Sequence, residues 1–369
     1  MSARIRLPSN HCRTIKSKPH PPTRVAIIGT GGMANWHARY FKKTRGCRLV
    51  AGVDTHAGRL KAFTDAYAIP EAYYSTTELL RKSAIDAVAI VTPDPYHKAI
   101  ALECIAAGKH LLCEKPLALN YPDARAMADA AHKAGVVNRV HFTYRNWAPI
   151  QRIAKIVQSG RIGEVRHVEA SYHQSWLVSQ QWGDWRTSDN WLWRLSTKHG
   201  SKGTLGDVGV HILDFATFPV GPIKELSCKL KTFRKAPRNR IGRYKLDAND
   251  SAILTVEFAN GALGSIQTTR WMTGHLNRLF LKIAGTRGSV AFDSKLSETA
   301  YQLCTGADIE TDTWQCIEAK ATPSIHARFI RSIRTGQADQ PDFARGAEIQ
   351  KLLDASFKSD ELKQPVRIR

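Results

Sequence analysis

Three short segments of this 369-residue chain carry residue types that could do chemistry together. Cys113-Glu114-Lys115-Pro116 ends an apolar run on an ammonium group. At such a place Lys115 can hydrogen-bond a substrate hydroxyl and stabilise the alkoxide that develops as a hydride leaves. In Gly206-Asp207-Val208-Gly209-Val210-His211, Asp207 and His211 stand four residues apart. On a helix they share a face, so the carboxylate can orient the imidazole, the natural proton shuttle near neutral pH. Asp214 comes three residues later and could complete a metal-ligating face, but no second ligand cluster accompanies it, and no metal is expected.

The third segment is Gly29-Thr30-Gly31-Gly32-Met33-Ala34, a GxGxxA run after the apolar residues 25–28. Gly29 suits the tight turn, Gly31 lets the backbone approach a pyrophosphate, and Ala34 allows a helix to pack closely on its strand while the helix N-terminus faces the anion. Asp54 follows 25 positions after Gly29, close to the roughly 20 expected for a ribose-binding acid. A carboxylate there accepts both ribose hydroxyls and repels a 2′-phosphate, which favours NAD over NADP. Nearby His56 and Arg59 keep NADP open, and the structural alternative is a turn-forming Asp.

Elements able to position these groups are legible in the same stretch. Residues 25–29, 49–54, 87–93 and 110–116 are short Val/Ile/Leu-rich runs separated by helix-length segments, the first helix opening near Asn35. This pattern predicts a parallel sheet covered on both faces, a doubly wound α/β domain over residues 24–144. Ligands of such sheets lie beyond the C-terminal strand ends. That is where Thr92, Pro93, His97, Glu114 and Lys115 fall.

After about residue 150 the texture becomes alternating, as in residues 165–173, 252–258, 262–270 and 280–292, with turn residues at Asn260-Gly261 and Gly285 to Gly288. Residues 145–369 therefore read as a second α/β domain on a large, mostly antiparallel open sheet, with a last helix over about 345–358 packing back on the body.

Composition narrows the partners. The chain holds 54 Lys+Arg against 32 Asp+Glu, a formal charge of +22. That excess raises the local concentration of anionic cofactors or substrates without identifying one. Six basic residues and no acid precede residue 25. Residues 1–23 read as a flexible basic tail rather than an export signal, since no apolar run of the required length occurs there. No segment is apolar enough to span a bilayer. Seven scattered cysteines without a CxxC pair suit a reducing cytoplasm.

The glycine run, residues 92–119 ending in Glu114-Lys115-Pro116, and Leu205 to Asp214 together resemble the Gfo/Idh/MocA family, from about Arg24 to Phe357. The resemblance implies an N-terminal Rossmann domain and a homodimer or homotetramer built on the open sheet of the second. It also implies NAD(P)-dependent oxidation or reduction of a secondary alcohol of a sugar, anhydrosugar or cyclitol. Lys115, Asp207 and His211 become the catalytic set, with His211 as general acid/base. Gly29, Gly31, Gly32, Met33, Ala34, Asp54, Thr92, Pro93, His97, Glu114 and Lys115 become the cofactor contacts, and Arg145, Trp193 and Arg194 line the cleft. Within the family, NAD-dependent glycosidases with transient redox and catalytically silent cofactor sensors are the alternatives. The glycine-rich stretch before Asp207 departs from the family pattern by carrying Lys202.

Five of the nine tryptophans fall between residues 176 and 193. Flat aromatic faces with an N–H handle suit a polyhydroxylated ring, and Trp176 and Trp193 are the two expected in the cleft. Residues 229–245 carry eight basic residues and no acid. They lack a recognition-helix period, so a solvated loop is expected rather than a nucleic-acid surface.

Overall fold

The computed structural model describes residues 21–368. Most of the expected basic tail lies outside the described residues. The first domain is a six-stranded parallel sheet in the order β3-β2-β1-β4-β5-β6. Its strands are β1 (Thr23–Ile28), β2 (Cys47–Val53), β3 (Glu71–Tyr73), β4 (Ala87–Ile90), β5 (His110–Cys113) and β6 (Asn138–Val140). Helices α1 (Gly32–Lys43), α2 (Ala57–Tyr67), α3 (Thr76–Lys82), α4 (His97–Ala106) and α5 (Tyr121–Ala134) connect them. The order reverses between β1 and β4, which opens the ligand crevice at the carboxyl ends of those two strands.

The second domain adds α6 (Ala148–Gln158), β7 (Val165–Gln174), the short α7 (Asp189–Leu192), α8 (Val210–Val220) and β8 (Ile223–Lys231). A two-stranded ribbon of β9 (Arg240–Ile241) and β10 (Tyr244–Lys245) follows. Next come β11 (Ser251–Phe258), β12 (Leu263–Thr269), β13 (Asn277–Gly285), β14 (Gly288–Asp293), β15 (Ala300–Thr305) and β16 (Gln315–Glu318). The chain closes with α9 (Ile325–Thr335), α10 (Phe343–Leu362) and β17 (Val366–Arg367). The large sheet runs β16-β15-β14-β13-β7-β12-β11-β8-β17, with β7 and β12 parallel and the other neighbours antiparallel.

Alternation decides which face of this sheet is covered. Along β11, Ala252, Leu254, Val256 and Phe258 are buried while Ile253 is exposed. The apolar face packs under α6 and α8, joining Ile153, Leu213 and Phe215 in one core. Burying such aliphatic and aromatic side chains contributes about 1.5–3 kcal/mol each. The other face stays open.

Three details differ from the sequence-based expectation. Helix α1 starts at Gly32 rather than near Asn35, because Gly31 already adopts the extended N-cap conformation. Helix α10 extends beyond 345–358 at both ends, stapled at its start by the Asp342 side chain accepting from Arg345 N. Finally, α9 leaves the second domain and buries Phe329 and Ile330 against Val25 and Ile27 of β1, so the first domain's core includes residues far past 144. Among the described residues, no helix is long and apolar enough to cross a membrane.

Candidate active site

The glycine turn has the shape a dinucleotide requires. Gly29 sits at φ +89°, and a Cβ there would lie 2.7 Å from Val91 O, so no other residue fits between β1 and β4. Gly31 and Gly32 face open space, and α1 begins without a side-chain cap. Its first backbone N–H groups are free for an anion. Ala34 is buried against β1, while Met33 is half exposed at the cleft rim. Thr92 Oγ1 is a buried hydroxyl with no partner at the end of β4, and Pro93 beside it is exposed. These residues fit a dinucleotide lying across the carboxyl ends of the strands.

Asp54 departs from the expected bare carboxylate. Its Oδ2 accepts from Thr30 N at 2.9 Å, Thr30 Oγ1 at 2.8 Å and Arg59 Nε at 2.9 Å. Its Oδ1 accepts from His56 N at 2.9 Å and Arg59 Nη2 at 2.7 Å. Burial alone would raise this acid, but Arg59 and the backbone donors hold it well below the usual carboxylate range. The end of β2 thus presents a paired acid and cation rather than a free anion.

His97 frames the cleft from beneath. Its ring nitrogens lie 3.0 Å from Pro116 O and 2.8 Å from Thr92 O, tying the loops after β4 and β5 together. Glu114 is also an anchor. Its Oε1 accepts from His37 at 2.8 Å and His141 at 2.9 Å, and its Oε2 from the Lys115 backbone N at 3.1 Å. Against the cost of burial, the two rings keep Glu114 ionised. His326 extends the chain to His37 at 3.0 Å. The network is satisfied if each ring donates an N–H toward Glu114. Among the described residues, His37, Glu114 and His141 form the one group spaced for metal ligation, with candidate atoms within 4.8 Å. Hydrogen bonding already accounts for that trio.

From this anchor the Lys115 side chain crosses to the second domain. Its Nζ donates to Asp207 O at 2.9 Å and lies 3.4 Å from Asp207 Oδ1. The segment Leu205–Gly209 forms a π-helical turn feeding α8, held at its start by Asn249 Oδ1 on Leu205 N at 3.0 Å. Among the described residues no hydrogen bond joins Asp207 to His211, although the carboxylate still favours the charged form of that ring. Asp207 points its Oδ2 at Arg270 Nη2, 3.0 Å away, with Arg194 Nε at 3.9 Å. Burial would raise Asp207, but Lys115, Arg270 and Arg194 outweigh it and hold it well below the usual range.

His211, one helical turn on, is buried with Nδ1 unpartnered, its ring edge-to-face with Tyr144 at 4.8 Å. Tyr144 in turn hydrogen-bonds Tyr172 at 2.6 Å. Burial first and the Lys115 charge second push His211 well below its ordinary value. It is therefore neutral at pH 7 and able to accept a proton.

The expected cleft residues divide. Trp193 is 40% exposed and lines the cleft with Arg194, whose guanidinium lies 4.6 Å from its ring centroid. Trp176 is 3% exposed inside a satellite core with Trp185, and it supports Arg270 from behind at 4.9 Å. A large aromatic at the end of β7 gains more from that apolar cluster than from water. Arg145 is not brought to the cleft either. It is buried, paired with Asp214 at 2.6 Å and stacked on Phe218. The basic stretch 229–245 is not uniformly solvated, since Lys235 and Asp250 form a buried pair at 2.6 Å.

Sequence reasoning missed Arg270, His37 and His141. Arg270 is fully buried directly after β12, where its Nη2 pairs with Asp207, its Nη1 donates to Arg194 O at 3.0 Å, and Asp250 adds a second negative charge. Asp94, inside the motif after β4, lines the same cleft, and burial raises its carboxyl. The cavity that Asp94, Lys115, Asp207 and Arg270 help line has a volume of about 180 Å³.

The comparisons agree with the two-domain fold. A family model described as "Oxidoreductase family, NAD-binding Rossmann fold" matches residues 23–142, and the "GFO/IDH/MocA C-terminal domain" matches residues 150–291. Levoglucosan dehydrogenase from Pseudarthrobacter phenanthrenivorans is 30% identical over 57% of this chain and 55% of its own length, so the match spans about half of that relative. D-apiose dehydrogenase from Paraburkholderia graminis is 30% identical over 93% of this chain and 89% of its own. The crystal structure of an oxidoreductase domain protein from Kribbella flavida is 29% identical, covers 95% of this chain and 100% of its own, and superposes with a TM-score of 0.82.

Proposed function

The chain belongs to the Gfo/Idh/MocA family of oxidoreductases, with its NAD-binding Rossmann domain, and we propose that it moves hydride between nicotinamide and a secondary alcohol of a sugar, anhydrosugar or cyclitol. The observation that carries this reading is the convergence of Lys115, Asp207 and His211, from two domains, beside the crevice at the end of β4 and β5.

When bound, the nicotinamide supplies the hydride acceptor. In the oxidative direction His211, kept neutral by its surroundings, takes the hydroxyl proton. Lys115 holds the same oxygen and stabilises its developing negative charge, with Arg270 and Arg194 adding positive potential through Asp207. Asp207 holds Lys115 in place rather than orienting His211. Trp193 supplies a flat face for the C–H side of a pyranose ring. His97 and Glu114 frame this site by fixing the two loops that carry Thr92 and Lys115. The exposed sheet face bearing Ile253 and Leu263 suits a homo-oligomer contact, and the scattered thiols suit a reducing cytoplasm.

The test is a fluorescence titration with NADH and NADPH followed by a panel of sugars, anhydrosugars and cyclitols monitored at the reduced-nicotinamide band. Net reduction of the cofactor by a panel member supports dehydrogenation. Release of an aglycone without net reduction identifies a redox glycosidase instead. Sugar-independent cofactor binding with neither outcome identifies a sensor.

A further inference from the structure

The catalytic cavity is not alone between the domains. A larger cavity of about 590 Å³ adjoins it, lined among others by Leu119, Lys202, Leu230, Thr232, Asp247 and Phe357. Gly200, Ser201 and Lys202 border both spaces. Lys202 and Phe357 also line a narrow gap between them that reaches Asp94 and Gly206. Lys202 therefore stands at the junction, one turn before the Asp207 segment.

The size contrast sets the question. At about 180 Å³ the catalytic cavity has room for little beyond the reacting ring. The adjoining space, at about 590 Å³, falls in the roughly 300–1,000 Å³ range of small-molecule sites. Its lining mixes an apolar wall, Leu119, Leu230 and the Phe357 ring, with hydroxyl-bonding groups, Thr232 and the Asp247 carboxylate. A sugar ring presents the same division, with C–H bonds on its face and hydroxyls at its edge. The lining does not present a cluster of cations for an anion: its charged side chains are Lys202, Asp247 and Asp360, and the two acids are paired with Lys245 and Lys363 at 3.5 and 3.1 Å.

The loop between the cavities is built rather than loose. Asn249 Nδ2 donates to Lys202 O at 3.0 Å, and Gly206 N donates to the same carbonyl at 3.3 Å. Gly206 must lack a Cβ because one would collide with Lys202 Cβ. Among the described residues, the Lys202 ammonium has no ion pair and lies 5.9 Å from the centre of the Phe357 ring. A solvated ammonium at a neck between two sugar-sized spaces can donate to the glycosidic oxygen or a hydroxyl joining two rings.

We propose that this second cavity is a subsite for a neutral glycosyl unit, so that the preferred substrate is a glycoside of at least two rings, oxidised on the ring beside Lys115. The inference rests on the hydride-transfer reading for which ring reacts, but not for whether the cavity binds sugar.

The experiment compares trehalose, maltose and cellobiose with methyl α- and β-glucoside. Affinity for the NADH-loaded protein is measured by calorimetry, and NAD+ reduction is followed separately. At least one disaccharide is expected to bind ten times or more tightly than its methyl glucoside. Thr232→Trp, which fills the cavity, is expected to reduce that ratio to near one, and Phe357→Ala to lower it in the same direction. Thermal melting checks that each variant folds. Equal affinities, binding of neither sugar class, or a ratio unmoved in both folded variants overturns the subsite. If disaccharides bind preferentially but no sugar is oxidised, the subsite stands and the hydride-transfer reading falls.

Discussion

Asp207 turns its carboxylate to Arg270, 3.0 Å away, and not to His211, four residues along the same segment. An acid in the position of an imidazole partner thus bonds the ammonium and the guanidinium instead.

That arrangement makes Arg270 a structural as well as an electrostatic element. Arg270→Met leaves Asp207 with Lys115 and the more distant Arg194, and removes a fully buried charge pair member. Breaking such a pair typically costs about 3–5 kcal/mol. Because Asp207 is partly exposed and keeps Lys115, the lower end is expected, read as a drop in the urea midpoint. Asp207→Asn should lower kcat more than KM, because it loosens Lys115.

Lys115→Ala and His211→Ala are each expected to cut turnover at least about a hundredfold, the usual share of a positioned acid–base or oxyanion-stabilising group. NADH affinity, read by fluorescence titration, should change little. Unaltered turnover in both variants removes the mechanism.

The ribose end is tested by Arg59→Ala. Freeing Asp54 from its guanidinium partner leaves a carboxylate that repels a 2′-phosphate. The ratio of kcat/KM for NAD+ over NADP+ is expected to rise at least about tenfold, about 1.4 kcal/mol of discrimination. An unchanged ratio means that Asp54 and Arg59 do not contact this part of the cofactor.

Acid should destabilise the fold before it reaches the carboxylates. Burial lowers His37, His211 and His326, and lowers His173 to about 4 from an ordinary 6.5. The unfolded chain binds protons on these rings that the folded chain refuses, so their stability contribution is complete above about pH 6.5 and drains away as pH falls toward 4. Melting temperature is expected to fall across that window, with a shallower slope in His326→Phe. A flat profile between pH 6.5 and 4 contradicts this.

Much of this was legible in the residues. The run at 25–28, the glycine turn and the motif at 113–116 foretold the parallel sheet and the place of Lys115, because period and punctuation are local. Trp176 and Arg145 were misplaced for the opposite reason. An aromatic or a guanidinium near a cleft motif looks alike in sequence whether it faces ligand or its own core, and Asp214 for Arg145, and Tyr244 and Leu246 for Trp176, decide that from far along the chain. Arg270 and His326 could not be read at all, since their meaning comes from partners 63 and 289 positions away. The π-turn likewise has no local signature in Leu205 to Gly209.

Helix α9 gives the architecture a last property. Because Phe329 and Ile330 complete the packing on β1, and His326 ends the hydrogen-bonded chain that reaches Glu114, the nucleotide half borrows its final wall from residues translated nearly two hundred positions after β6. It is not a portable cassette: grafted alone into another enzyme, it would carry a raw apolar seam and an unsupported Glu114-Lys115 loop.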